Sequence, residues 1–240
     1  MSLPTQDQSS LRYPQALVVM ARLPLAGSCK TRLCPPLSEQ QAASLYQAFL
    51  IDIGRELAHW SDPTDLWVAW TGSEDEPGVL VDFFPPRTRF VRQQGKSLTG
   101  RMNTVFGHLF EQGYRRIVMR NSDSPHLPLS FIEQAFAALQ HHAGSVVLGP
   151  DLDGGYYLVG LDGAPFGLFP DTMGTASVLE ETAAAAREQH REVQLLEPFL
   201  DIDSPDDLSL FWLEFGGRAD VRGWATWRRL AETDILDRLE

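Results

Sequence analysis

The 240-residue chain has no apolar run approaching the roughly 18 residues that a membrane-spanning helix needs, which excludes a helical membrane protein. Residues 1–15 contain Pro4, Asp7 and Pro14 and lack the apolar centre of a secretory leader, so a cytoplasmic protein with no membrane partner is expected. Cysteine is scarce. Cys29 and Cys34 lie five positions apart with no second pair and no histidine nearby, a pattern that supports neither a zinc site nor a disulfide framework and fits thiols in a reducing compartment. No fixed-period repeat, low-complexity tract or Pro/Gly/Ser-rich linker divides the chain, so one main domain is expected. Positive charge is short as well: 20 Lys and Arg face 32 Asp and Glu, a formal net charge of −12, and no basic run offsets it. That field opposes nucleic acid as a partner, but it does not oppose a small phosphorylated ligand, because a few cations in a cleft set the local potential there.

What is present is an ordinary core-forming composition, 43% hydrophobic. Strand-length apolar runs recur at residues 16–21 (ALVVMA), 66–70 (LWVAW), 117–119 (IVM) and 145–148 (SVVL), with helix-length segments between them. Short apolar runs unbroken by polar positions fit strands covered on both faces. The expected fold is α/β: a three-layer α/β/α arrangement around a mostly parallel, Rossmann-like sheet. Ser38-Glu39-Gln40-Gln41 has the form of a capping box, and Leu45, Phe49, Ile53 and Leu57 follow at helical spacing, predicting a helix over 38–59. Further helices are expected to begin near Ser97, Ser130, Ala176 and Pro205. The expected organisation is an N-terminal segment 1–15, a nucleotide-binding domain 16–216, and a helical extension 217–240. That extension carries Trp224, Trp227, Leu230, Ile235 and Leu239; it is expected to dock on the domain, with a homodimer contact as the alternative.

Four loops that follow expected strands carry chemistry. In PLAGSCKTRL, residues 24–33, Gly27 permits close backbone approach, and Lys30 and Arg32, with Arg22 just before, offer charge to phosphate oxygens; the alternative is a solvated loop. In RNSDSPHLP, residues 120–128, Asp123 falls where a carboxylate holds a divalent metal against a diphosphate, although Ser-Asp-Ser-Pro is also ordinary turn and capping chemistry. In GPDLDGGYYLVGL, residues 149–161, Asp151 and Asp153 can bind metal or act as a base, while Gly154-Gly155 can serve simply to turn the chain. In DIDSPDDL, residues 201–208, Asp203 is a second candidate metal ligand, and Ser204-Pro205-Asp206-Asp207 has the form of a helix start. Lys30 and Arg32 are expected on a solvent-lined cleft, with Asp123 and Asp203 repelling each other there. His126 and His141-His142 are expected to be structural, and Tyr156 and Tyr157 to point to opposite faces of their strand.

Taken in order, AGSCKTRL, SLTGRMNTVF, NSDSPHLP, GPDLDGGYYLVGL, MGTASVLEET and DIDSPDDL resemble the DUF2064 family of nucleotide-diphospho-sugar transferase-like proteins over roughly residues 16–210. That family is grouped with the GT-A glycosyltransferases, and some members are named arsenosugar biosynthesis glycosyltransferases. A more distant similarity is to MobA-like nucleotidyltransferases and 2-phospholactate guanylyltransferases, which share the Lys-[Ser/Thr]-Arg-Leu loop and the closing Asp-x-Asp-[Ser/Thr]-Pro-x-Asp-Leu. The resemblance implies that Gly27, Lys30 and Arg32 cradle a diphosphate, that Asp123 and Asp203 hold a divalent metal (Mg or Mn), and that Arg101 contacts phosphate or acceptor. Where the superfamily often has Asp-x-Asp, this chain has Asn121-Ser122-Asp123, and Met173 stands where a tryptophan is common. The implied activity is a glycosyltransferase that moves a sugar from a nucleotide sugar to a small-molecule acceptor. Lys30, Arg32 and the metal would neutralise the departing nucleoside diphosphate, and Asp151 or Asp153 would deprotonate the acceptor hydroxyl. The alternatives are nucleotidyl transfer with release of pyrophosphate and a noncatalytic nucleotide-binding protein.

Overall fold

The computed structural model describes residues 13–171 and 176–232; Met173 and Gly174 of the MGTASVLEET stretch, and Ile235 and Leu239 of the C-terminal extension, lie outside the described residues. Seven strands form one sheet: β1 (Gln15–Arg22), β2 (Asp65–Thr71), β3 (Arg89–Arg92), β4 (Arg116–Arg120), β5 (Val146–Pro150), β6 (Tyr156–Asp162) and β7 (Val193–Leu195). Their spatial order is β3-β2-β1-β4-β6-β5-β7. Only β6 is reversed, pairing antiparallel with both β4 and β5, while β1 pairs parallel with β2 and β4. This is the mostly parallel α/β sheet expected from the apolar runs. Three strands lie outside those runs: β6 is the strand of Tyr156 and Tyr157, β7 is three residues long, and β3 has an arginine at each end of RFVR and lies half-buried at the sheet edge.

Alternation along each central strand fills two cores, since successive side chains point to opposite faces. Leu17, Val19 and Ala21 of β1 join one cluster, and Ala16 and Val18 the other. The first cluster takes in α1 (Glu39–Ala58), α4 (Leu129–His141) and α6 (Pro205–Phe215), and the second takes in α3 (Leu98–Glu111) and α5 (Val178–Glu188). Tyr157 belongs to the first and Tyr156 packs against the second, on opposite faces as expected.

The capping box at Ser38 is formed: the Gln41 amide donates to Ser38 Oγ at 3.2 Å, and the Ser38 amide donates to Gln41 Oε1 at 2.9 Å. Leu45, Phe49, Ile53 and Leu57 are all buried, each contributing about 1.5–3 kcal/mol of apolar burial. Near the C terminus, α7 (Ala225–Ala231) packs on α1. Asp52 of α1 fixes it there by accepting the Ala225 and Thr226 amides, each at 2.7 Å, so one carboxylate satisfies two orphan donors of the helix start. No described helix is long and apolar enough to cross a membrane.

Candidate functional site

Because β1 and β4 are parallel neighbours, the loops leaving their carboxyl ends meet, and the chain after β7 returns to the same place. The Ile202 amide donates to the Asp123 carbonyl at 2.9 Å, stitching the last segment to the loop after β4. Asp201 completes the seam. Its carboxylate accepts Asn121 Nδ2 at 2.6 Å and the Ser124 hydroxyl. Burial, reinforced by the neighbouring Asp123 carboxylate, pushes Asp201 up to about 7, partly opposed by its two donors. Behind the loop lies Arg120, fully buried, donating to the carbonyls of Asn121 and Ser124. Tyr46 of α1 adds a further tie: its hydroxyl bonds Ser122 Oγ at 2.7 Å and accepts the Arg22 amide at 3.0 Å.

At the centre of these loops is Lys30. Its backbone is left-handed, φ 49° and ψ 35°, a conformation that costs a non-glycine residue about 1–2 kcal/mol. Its Nζ lies 2.5 Å from Asp123 Oδ1, 2.7 Å from Asp203 Oδ1 and 2.6 Å from the Ile202 carbonyl. An ammonium has three protons, and here all three are committed. The side chain is 3% exposed, against 32% and 37% for its two carboxylate partners. Burial alone would lower its pKa, but Asp123 and Asp203 outweigh that and hold it well above the ordinary lysine range. The expected setting is therefore corrected. Lys30 borders the cleft, but its side chain is buried rather than solvated, and Asp123 and Asp203 do not face each other uncompensated, because the ammonium stands between them.

A cavity of about 390 Å³ opens over this triad, and Arg22, Arg32 and Arg101 line it together with Lys30, Asp123 and Asp203. Among the described residues neither Arg22 nor Arg101 has a carboxylate partner. Arg101 Nε is buried with no hydrogen-bond partner, and the Arg101 pKa is lowered by burial and then by the charge of Arg22. Arg32 is 66% exposed and reaches Asp203 Oδ2 only at 3.9 Å. In so acidic a protein, cations left facing one another around a cavity lack only an anion. Gln93 lines the same cavity: Nε2 donates to the carbonyls of Ala21 (3.1 Å) and Ala69 (2.7 Å), so Oε1 is the remaining polar atom of the amide, an acceptor. Cys29 also lines it, its thiol pushed up to about 11 by burial; Cys29 and Cys34 are unpaired. Gly27 stands outside the cavity, on an exposed turn at φ 74°, where an added Cβ would meet the Glu39 carboxylate at 3.1 Å.

A second cleft of about 500 Å³ adjoins the first, sharing Arg32 and Asp203 with it, and contains Asp151, Asp153 and Asp207. Asp151 Oδ1 accepts the amides of Asp153 (2.9 Å) and Gly155 (2.7 Å), and burial raises its pKa. Gly154 is required beneath it: at φ 90° any Cβ would sit 2.2 Å from the Ala176 carbonyl oxygen. The structure thus brings Arg22, Lys30, Arg32, Arg101, Asp123 and Asp203 to one cavity and Asp151 and Asp153 to its neighbour. Asp201, Tyr46, Arg120 and Gln93 are the contributors that motif reading passed over. Asp201 had a signal, as the first carboxylate of DIDSPDDL; Tyr46 had only its place beside the Leu45–Phe49 stripe.

The donor set suits a hard divalent cation. Two carboxylate oxygens converge on one cation position, now taken by Nζ, and magnesium-type sites use one or two carboxylates completed by substrate phosphate and water. Among the described residues no three His, Cys, Asp or Glu side chains form a self-sufficient metal cluster, so a bound metal would need oxygen from its ligand.

Fold and site together define a nucleotide-diphospho-sugar transferase-like protein. A crystal structure of a candidate nucleotide-diphospho-sugar transferase from Desulfovibrio desulfuricans G20 is 30% identical to this chain, with a TM-score of 0.84, covering 94% of this chain and 97% of that one. The DUF2064 family, described as uncharacterized protein conserved in bacteria, matches residues 57–174. This chain belongs to the DUF2064 family. The same fold occurs in a cytidylyltransferase from Leptospira borgpetersenii (10% identity, TM-score 0.54, 95% and 96% coverage) and in CMP:2-keto-3-deoxy-manno-octonic acid synthetase complexed with CTP (11%, 0.50, 84% and 98%). No curated protein matches the chain.

Proposed function

We propose that this protein is a metal-dependent glycosyltransferase that takes a nucleoside diphosphate sugar as donor and passes the sugar to a small acceptor. One observation carries the reading: Arg22 and Arg101, with no carboxylate partner among the described residues, share a cavity with two carboxylates that converge on a single cation position. A diphosphate matches both halves, since its oxygens take the guanidinium protons and also complete a cation's coordination sphere. Arg22, Arg32 and Arg101 bind and orient the diphosphate, and Asp123 and Asp203 would hold Mg²⁺ or Mn²⁺. The metal, when bound, neutralises charge on the departing diphosphate.

The acceptor belongs in the adjoining cleft. Asp151 there is fixed by two amides and has the raised pKa suited to taking a proton from an acceptor hydroxyl, with Asp153 as the neighbouring alternative. Gln93 Oε1 offers an acceptor to the nucleoside. Thermal shift with nucleotides and nucleotide sugars, with and without Mn²⁺, tests the donor site, because a ligand at ~100 times its Kd adds roughly 2.7 kcal/mol. Product analysis tests the reaction. Release of nucleoside diphosphate supports sugar transfer; release of pyrophosphate from a triphosphate replaces it with nucleotidyl transfer. Metal-dependent binding without turnover on a broad panel of acceptors leaves a nucleotide sensor.

A further inference from the structure

The chain contains only two lysines, Lys30 and Lys96, and otherwise uses arginine for positive charge. One of the two stands between the carboxylates best suited to a metal. The choice is chemical: three acceptors, Asp123 Oδ1, Asp203 Oδ1 and the Ile202 carbonyl, surround a single point at 2.5–2.7 Å, which a compact ammonium fills and a planar guanidinium does not. Beneath it is the Phe49 ring, 5.5 Å away, so the charge is closed off from solvent on that side as well.

We propose that Lys30 is an internal counter-cation that keeps free divalent metal out of the Asp123–Asp203 pair, so that the site takes metal only together with the diphosphate. The inference rests on the assignment of that pair to the donor's metal. The electrostatics are direct. With Lys30 in place the pair presents a net charge of −1 instead of −2, and an incoming dication meets a positive charge a few ångströms from its position. A diphosphate supplies the missing negative charge from the open side and offers new acceptors to any Nζ proton released from the carboxylates. Arg22 and Arg101 act in the same direction, since without an anion in the cavity they too repel a metal ion. Metal and nucleotide therefore bind synergistically, and neither occupies the site well alone.

Mn²⁺ binding, followed by the loss of its free-ion magnetic resonance signal and by thermal shift, tests this without any turnover. In the wild-type protein, Mn²⁺ alone binds weakly, and a saturating nucleoside diphosphate raises its affinity by roughly tenfold or more. Lys30→Met binds Mn²⁺ alone at least about tenfold more tightly than wild type, and Mn²⁺ alone raises its Tm. Lys30→Arg keeps a positive charge beside the pair without filling the point between the acceptors, so it binds Mn²⁺ alone more weakly than Lys30→Met does. Wild-type protein that binds Mn²⁺ equally well with and without nucleotide overturns the inference, and this arm needs no variant to fold. So does a Lys30→Met whose free-metal affinity is unchanged or lower, because Lys30 would then hold the carboxylates in place for the metal. Wild-type protein that binds no nucleotide with any metal overturns the proposed function as well, whereas the free-Mn²⁺ comparison of Lys30→Met with wild type still tests the triad by itself.

Discussion

The two adjoining clefts differ in sign. One is rimmed by three arginines around a carboxylate pair half-neutralised by Lys30; the other is a carboxylate pocket with one arginine at its border. Arg32 and Asp203 belong to both, so they form the boundary across which a group would pass. The difference teaches that charge at this edge of the sheet is sorted by cleft rather than by strand. The cationic side suits an anionic ligand, and the acidic side suits a hydroxyl-rich or cationic one and disfavours a phosphorylated one.

The strongest way to break that contrast acts on the acidic side alone. Asp151→Asn keeps an oxygen to accept the Asp153 and Gly155 amides but cannot take a proton, so turnover is expected to fall on the order of 10²–10⁴-fold while nucleotide affinity holds. A parallel loss of nucleotide binding would mean that the two clefts are one site. Next in size is Asp123→Asn. Removing one of two converging carboxylates costs about as much as the upper part of the range for a charged hydrogen bond, about 1.5–3 kcal/mol, so metal-dependent nucleotide affinity is expected to drop about 100-fold in calorimetric titration. Its Tm is expected to fall, since Lys30 loses a partner; repulsion from Asp203 alone would have predicted a rise. Arg101→Leu is expected to weaken nucleotide about tenfold and to leave Tm level or higher, because the free protein loses an orphaned Nε and a like-charge neighbour. A lower Tm would show a structural partner for that guanidinium.

The smallest effect on function sharpens the comparison by leaving both clefts alone. His126 is buried against the rings of Phe199, Phe211 and Phe215, and burial, then Arg120, hold it down at about 3. Its folded pKa is depressed, so its contribution to stability is full above the ordinary value near 6.5 and is lost as pH falls towards 3, costing about 2 kcal/mol at pH 5. His126→Phe is expected to remove that acid sensitivity in pH-dependent melting, with nucleotide binding unchanged. An unaltered acid profile would assign the loss to other groups.

Elements whose signals are local were legible. The apolar runs, the Ser38 box and the capped start at Ser204 depend on neighbours within a helical turn, and the chain order of the motifs pointed to one sheet edge. What stayed hidden depends on partners far along the chain. Lys30 meets Ile202 and Asp203 across 172 and 173 positions, and Asn121 meets Asp201 across 80, so residue type showed a cation and a carboxylate but not that one lies buried between two of the other. β3 was missed for a different reason: a four-residue edge strand buries too little to leave an apolar pattern.

The single reversed strand, β6, has a consequence for how this family can diversify. Because β5 and β6 are joined by a hairpin, the segment bearing Asp151 and Asp153 leaves and re-enters the sheet at one place and carries no crossover helix of its own. Such a tip can lengthen, shorten or change its side chains without shifting the register of β1 against β4, on which the arginine-rimmed cavity is built. On the proposed assignment of that cleft, acceptor choice would be modular, a matter of one hairpin tip beside an unchanged arginine-rimmed cavity.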